Sequence, residues 1–247
     1  MARTSNRPRY GSPLNLPGAF SLWQPSKELV LKNIWIFGPL YGVLLIFNIH
    51  SWLWSPSIGS GHHWTDRLDS FNSGLVFSPT SGYAFAAFVG FSLIWLLFVL
   101  ALGTITQIMS QAAQLDAVED KPLHFGVLWN VVKSLGWRML GLYALTALYV
   151  FVGLILLVVP GIIMIRRYFL APYVMLDRKC GIQEAMERSA AMSKPHSGSV
   201  YGVFGVMILI SLTGVIPIIG NLLAFVLASL YSAAPALRYQ QLKKLAA

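Results

Sequence analysis

A single cysteine, Cys180, stands in 247 residues, so no internal disulfide can form and cysteine usage is silent about redox compartment. Charge is scarce. Asp, Glu, Lys and Arg make up 11% of the chain, against about a quarter in a soluble domain. Acid is scarcer still, nine residues against eighteen basic ones. With 56% hydrophobic residues and a mean hydropathy of +0.64, a globule of this size could not hide its apolar side chains and keep a polar surface. Much of the surface is expected to face lipid.

The catalytic signatures are missing too. There is no GxSxG, no HExxH and no phosphate-cradling glycine loop. His124 and His196 stand alone, and a lone histidine carries no acid–base pair. Asn48 and His50 close an apolar run and are expected to meet lipid headgroups. No catalytic residue, cofactor or enzymatic activity is expected. The net charge of +9 does not point to nucleic acid, because the basic residues are scattered between apolar runs instead of forming one patch. Residues 1–32 hold no apolar core of signal-peptide type, so the first span is expected to stay uncleaved. The acid-free opening MARTSNRPRY fits either a basic cytosolic tail or an organelle transit peptide.

What is present is a series of apolar runs. A membrane span takes about 20 residues, or as few as ~17. Asn33–Trp54, Tyr83–Gly103, Met139–Val159, the short Ile162–Leu176, and stretches near Gly198–Val215 and Asn221–Leu237 give six. The last four read as two hairpins, reversing at Pro160-Gly161 and at PIIG, Pro217–Gly220, where proline cannot continue the helix ladder and glycine tolerates unusual backbone angles. The fold class is therefore all-α, a polytopic transmembrane bundle of six spans. Its parts are a cytoplasmic N-terminal segment 1–32, a membrane domain 33–237, and a basic cytoplasmic tail 238–247. The membrane domain carries an outer loop at 55–82 and inner loops at 110–138 and 177–197. Two interfacial amphipathic helices are expected, one in LHFGVLWNVVKSLGW after Pro122 and one in 177–195. Ser21 and Gln24 have capping-box spacing, so a helix is expected to start there and run straight into the first span.

Orientation follows from basic residues. With the N-terminus inside, one face holds Arg3, Arg7, Arg9, Lys27 and Lys32; Lys121, Lys133 and Arg138; Arg178, Lys179, Arg188 and Lys194; Arg238, Lys243 and Lys244. The other holds only Arg67. That asymmetry places both termini in the cytoplasm of a multi-pass inner-membrane protein. A five-span alternative, with Met139–Ile165 as one span, would move six basic residues outward.

Arg166 and Arg167 interrupt an apolar run. Snorkelling to the outer headgroups is one reading. The other is a site for an anionic lipid headgroup or ligand, since no carboxylate lies within a span and guanidinium binds phosphate bidentately. Thr104, Gln107, Gln111 and Gln114 form a polar stripe on one helix, expected to begin at the inner interface and continue into water; a lining for a solute path is the other reading. His62, His63 and Asp66, with Asp69 near, are weak metal candidates in a solvated loop. Gly38/Gly42, Gly198/Gly202 and the series Ala224, Ala228, Ser232 and Ala236 have small-residue spacing for close helix packing, within the bundle or against a second copy.

The run PG-x4-RRYFLAPYVMLD-x6-EA-x3-S, Pro160 to Ser189, resembles a group of bacterial six-span membrane proteins. The group includes the membrane domain attached to some glycerophosphodiester phosphodiesterases and several stand-alone families without an assigned activity. Matching positions are Pro160, Gly161, Arg166 or Arg167, Ala171, Pro172, Tyr173, Asp177, Glu184, Ala185 and Ser189. The resemblance implies a bacterial inner-membrane protein in which Pro160, Gly161, Pro172, Asp177, Glu184 and Ser189 serve turns and structure. It implies no catalysis, because the chain has no room for a phosphodiesterase barrel. The expected role is a non-enzymatic membrane organising or accessory factor contacting lipid, with a membrane-protein partner or a second copy as further partners. A small-solute or lipid transporter is the alternative, and a lipid-modifying enzyme the third.

Overall fold

A computed structural model of the chain describes residues 16–54, 79–216 and 219–246. All the described elements are helical. After a short 3-10 turn, Ala19–Leu22, come α1 (Trp23–Lys32), α2 (Ile34–Trp54), α3 (Pro79–Val118), α4 (Phe125–Leu156) and α5 (Val158–Tyr168). Then follow α6 (Ala171–Arg178), α7 (Ile182–Ser193), α8 (Ser197–Thr213), α9 (Ile219–Tyr231) and α10 (Ala234–Ala246). Two compact units divide them: Val43–Thr106 is one, and residues up to Gly42 together with those from Gln107 onward are the other.

Four stretches are long and apolar enough to cross a bilayer: Gly90–Val118, Phe125–Leu156, Val159–Arg178 and Ile219–Leu245. Two further pairs qualify only when each bent pair is one span. They are Ala19–Lys32 with Ile34–Ile46, bent by 98°, and Ile182–Ser193 with Ser197–Thr213, bent by 103°. The chain is therefore a helical membrane protein with four to six candidate spans.

Several local expectations change. Helix α1 does not run into α2; the axis turns at Asn33, whose backbone N–H at 3.2 Å and side-chain amide at 3.0 Å both donate to Leu29 O. The Ser21–Gln24 capping box does not form: Ser21 lies inside the 3-10 turn, and α1 starts after Leu22 with no side-chain cap, while Ser21 Oγ donates to Gly18 O at 2.6 Å. Residues 79–82 belong to α3 and not to the outer loop. Most of the expected inner loop 110–138 is helical: α3 continues to Val118, and the expected interfacial helix after Pro122 is the unbroken start of α4. In the second expected stretch, 177–195, residues Ile182–Ser193 form the separate helix α7. Most of the expected tail belongs to α10, and Arg238 is wholly buried beneath the N-terminal segment, donating to Pro17 O at 2.9 Å and Gln241 Oε1 at 3.0 Å.

The chain does reverse between α4 and α5, which excludes Met139–Ile165 as one continuous helix. The reversal lies at extended Leu157, three residues before the expected Pro160-Gly161. Pro160 falls instead in the first turn of α5, where its missing N–H removes one donor that helix starts leave unpaired. That matters here because Ile155, Leu156, Leu157 and Val159 are all exposed and apolar, with lipid as their natural solvent. Gly153 and Gly161 lie face to face: a Cβ on Gly153 would come within 3.0 Å of Gly161 Cα. The expected small-residue motifs contribute less. Among the described residues nothing lies within 4 Å of a Cβ built on Gly38, Gly42 or Gly198, while Gly202 meets Ala19.

Helices α9 and α10 break at Ser232-Ala233, before Pro235. Ser26 on α1 heals the break: its Oγ donates to Leu230 O at 2.7 Å and accepts from Ala233 N–H at 3.2 Å. Tyr231 Oη donates to Ala19 O, and its ring stacks on Trp23. Leu22, Val203, Val206, Ile210 and Ala234 close this core. Replacing Ser26 with alanine leaves two buried backbone groups unpaired and is expected to cost about 1–3 kcal/mol. Thermal unfolding in detergent reads this as a lowered midpoint, and an unchanged midpoint would show the junction is held by packing alone.

Candidate functional site

Two polar assemblies occur in the unit that contains Gln107 onward. The first is internal. Gln111 and Gln114, two of the stripe residues, are buried and face other helices, not water. Tyr143 Oη on α4 donates to Gln111 Oε1 at 2.6 Å. Tyr173 Oη on α6 donates to Gln114 Oε1 at 2.8 Å, and Gln114 Nε2 donates to Tyr41 Oη at 3.4 Å. Tyr41 also bonds Ser232. Gln107 is exposed, and Thr104 Oγ1 bonds its own helix at Leu100 O, so the stripe splits. Each glutamine thus ties α3 to other helices. Burial makes an unpaired amide costly, so both amides find phenols.

Tyr173 stacks on Tyr239 with ring centroids 6.3 Å apart, which joins this network to an ionic cluster. Asp177 accepts from Tyr239 Oη at 2.7 Å and from Lys243 Nζ at 2.8 Å. Glu119 pairs with Lys121 at 2.5 Å and with Lys243 at 3.5 Å. Burial pushes the Glu119 carboxyl up, but hydrogen bonds from Lys121 and Gln240 outweigh it and hold the group below its ordinary value. The hydrogen bond to Glu119 raises Lys121 in turn. Asp177 therefore clamps α6 to α10. Glu184 is exposed and pairs with Arg188 one turn on, and Pro172 sits in the first turn of α6.

The second assembly is a pocket of about 380 Å³ between α4, α5 and α7. Leu145, Tyr149, Arg167, Tyr168, Gln183, Met186, Glu187 and Ala190 line it. Adjacent residues on a helix point about 100° apart, and this separates the two arginines. Arg167 faces the pocket, while the guanidinium of Arg166 lies 5.6 Å from the ring centroid of Tyr201 on α8. Arg166 Nε is buried without a hydrogen-bond partner. The pair is not one bidentate site, and Arg166 is held by a cation–π contact.

The depth of Arg167 also differs from the expected one. It lies ten residues past the reversal, about 15 Å along the helix axis, and Ser189 Oγ of α7 donates to its carbonyl at 2.6 Å. Arg167 is thus level with the amphipathic helix and not just below the tip of the α4–α5 hairpin. Ser189 is fully buried and fixes α7 against α5. Pocket formation depends on that fixation, since Gln183 and Glu187 lie on α7.

The metal candidates His62, His63 and Asp66 lie outside the described residues. Among the described residues no group of three or more His, Cys, Asp and Glu is placed to hold a metal ion. Sequence reading missed Tyr41, Tyr143 and Tyr149 and gave Tyr173 only as a matching position, because a phenol within an apolar run gives no sign of which helix will supply its partner. No protein-family model matches this chain, and no curated protein or solved structure is significantly similar to it.

Proposed function

We propose that this chain is a six-span protein of the bacterial inner membrane, with both termini cytoplasmic. In this reading it is a non-enzymatic organising or accessory factor that holds the phosphate of a lipid headgroup at Arg167. The two bent pairs support six spans. Helices α1 and α7 each meet the following apolar helix near a right angle, as an interfacial helix meets a span. Both also pack on α10, which suits one shared face. The distribution of Lys and Arg makes that face cytoplasmic. The resemblance around Pro160–Ser189 points to the same class of protein.

One observation carries the headgroup reading. Arg167 faces an open pocket at the level of an amphipathic helix, and among the described residues no carboxylate forms an ion pair with it. Such a cation recruits an anion, and phosphate fits guanidinium bidentately. Replacing Arg167 with leucine is expected to lower retention of phospholipid in native mass spectrometry by roughly tenfold, because a charge-assisted bond contributes about 1.5–3 kcal/mol. Arg166→Leu is expected to leave retention intact, since Arg166 does not line the pocket. Unchanged retention in Arg167→Leu would remove this function. The transporter reading draws on the buried Gln111 and Gln114, but their hydrogen bonds to Tyr143, Tyr173 and Tyr41 engage the groups a solute would need.

A further inference from the structure

The pocket contains more than a cation. Glu187 lies on α7 one turn beyond Gln183, and both line the same cavity as Arg167. The neighbouring carboxylate, Glu184, is used up by Arg188 at 2.6 Å. Glu187 forms no ion pair with Arg167 or any other described residue. Two opposite charges thus share one cavity without pairing with each other. A purely anionic headgroup would satisfy Arg167 and be repelled by Glu187. A headgroup with a phosphate and an ammonium would meet a complementary group at each end.

The kind of ammonium follows from the lining. Glu187 and Gln183 offer oxygen acceptors, which need N–H donors. A quaternary ammonium has none and relies on open aromatic faces. The two pocket phenols do not form such a cage, because Tyr149 and Tyr168 pack on each other with centroids 5.7 Å apart. Resting on the headgroup reading above, we infer that the pocket selects a zwitterionic headgroup bearing a primary ammonium, of the phosphoethanolamine type, with phosphate at Arg167 and ammonium at Glu187.

The test uses the full chain in nanodiscs of phosphatidylcholine doped with either phosphatidylethanolamine or phosphatidylglycerol, and counts lipids retained by native mass spectrometry. Phosphatidylethanolamine should be retained over phosphatidylglycerol by on the order of tenfold. Glu187→Gln should abolish that preference while the thermal midpoint stays unchanged, because the carboxylate has no ion-pair partner among the described residues. Arg167→Leu should lose both lipids. Equal retention of the two lipids by the wild type, or an undiminished preference in Glu187→Gln, overturns the ammonium assignment and leaves the phosphate reading standing. Unchanged retention in Arg167→Leu overturns both. Soluble phosphoethanolamine binding in the absence of any retained lipid would assign the pocket to the free compound and overturn the lipid source.

Discussion

Gly153→Ala is expected to lower the stability of the protein by about 1–3 kcal/mol, the range for overpacking a filled interface. The added methyl would approach Gly161 Cα at 3.0 Å and Gly161 N at 3.1 Å. These are backbone atoms, so no rotamer change can relieve the clash; α4 and α5 must move apart. Gly153→Val should cost more, because its branches extend the same collision. Gly161→Ala meets Leu154 Cδ2 at 2.5 Å but also Leu154 N at 3.0 Å, so only part of that strain is relieved by turning a side chain. Gly126→Ala is the control, since nothing lies within 4 Å of its Cβ position, and alanine there should be neutral or slightly stabilising. Thermal unfolding in detergent, followed by circular dichroism, checks the series. If Gly153→Ala and Gly126→Ala unfold alike, the hairpin is not closed by glycine contact.

The second large effect is expected from Gln114→Leu. Tyr173 is buried, and among the described residues its hydroxyl donates only to Gln114 Oε1. Removing that acceptor strands the phenol, at about 1–3 kcal/mol. Tyr41 loses a weaker bond but keeps Ser232, so its share should be smaller. Tyr173→Phe in the Gln114→Leu background should recover part of the loss, because it removes the stranded hydroxyl as well as its partner. A double-mutant cycle on unfolding midpoints measures this coupling. Strictly additive losses would show that Gln114 and Tyr173 act independently, and the network would then have no role in joining α3 to α6.

Both variants act where sequence periodicity is blind. The stripe of Thr104, Gln107, Gln111 and Gln114 was visible from spacing alone, and it pointed to water. Gln111 and Gln114 turned inward because tyrosines from α2, α4 and α6 arrive opposite them. Likewise the contact between Gly153 and Gly161 leaves no trace in spacing, since they sit on different helices and meet only across the hairpin. Gly38 and Gly42 carry the signal, and among the described residues nothing lies within 4 Å of a Cβ at either. Spacing along one helix reports which residues share a face, but not what that face will find. The capping-box spacing at Ser21 failed for a similar reason: the chain before α1 winds into a 3-10 turn that takes in Ser21, so the residue does not stand at the helix N-cap.

Composition and hydropathy by themselves determined the solvent of this protein, its helical class, and the reversal within Leu156–Arg178 to within three residues. Those properties are sums over local stretches, and a run of apolar residues needs lipid or a core whatever its neighbours are. The tertiary structure alone decided that Arg166 rests on Tyr201 while Arg167 opens to the pocket. It also brought Glu187 to the same cavity through the Ser189 contact that seats α7 on α5. A one-residue step turns a helical side chain by about 100°, so two neighbours in sequence enter different surroundings, and only the packed helices say which.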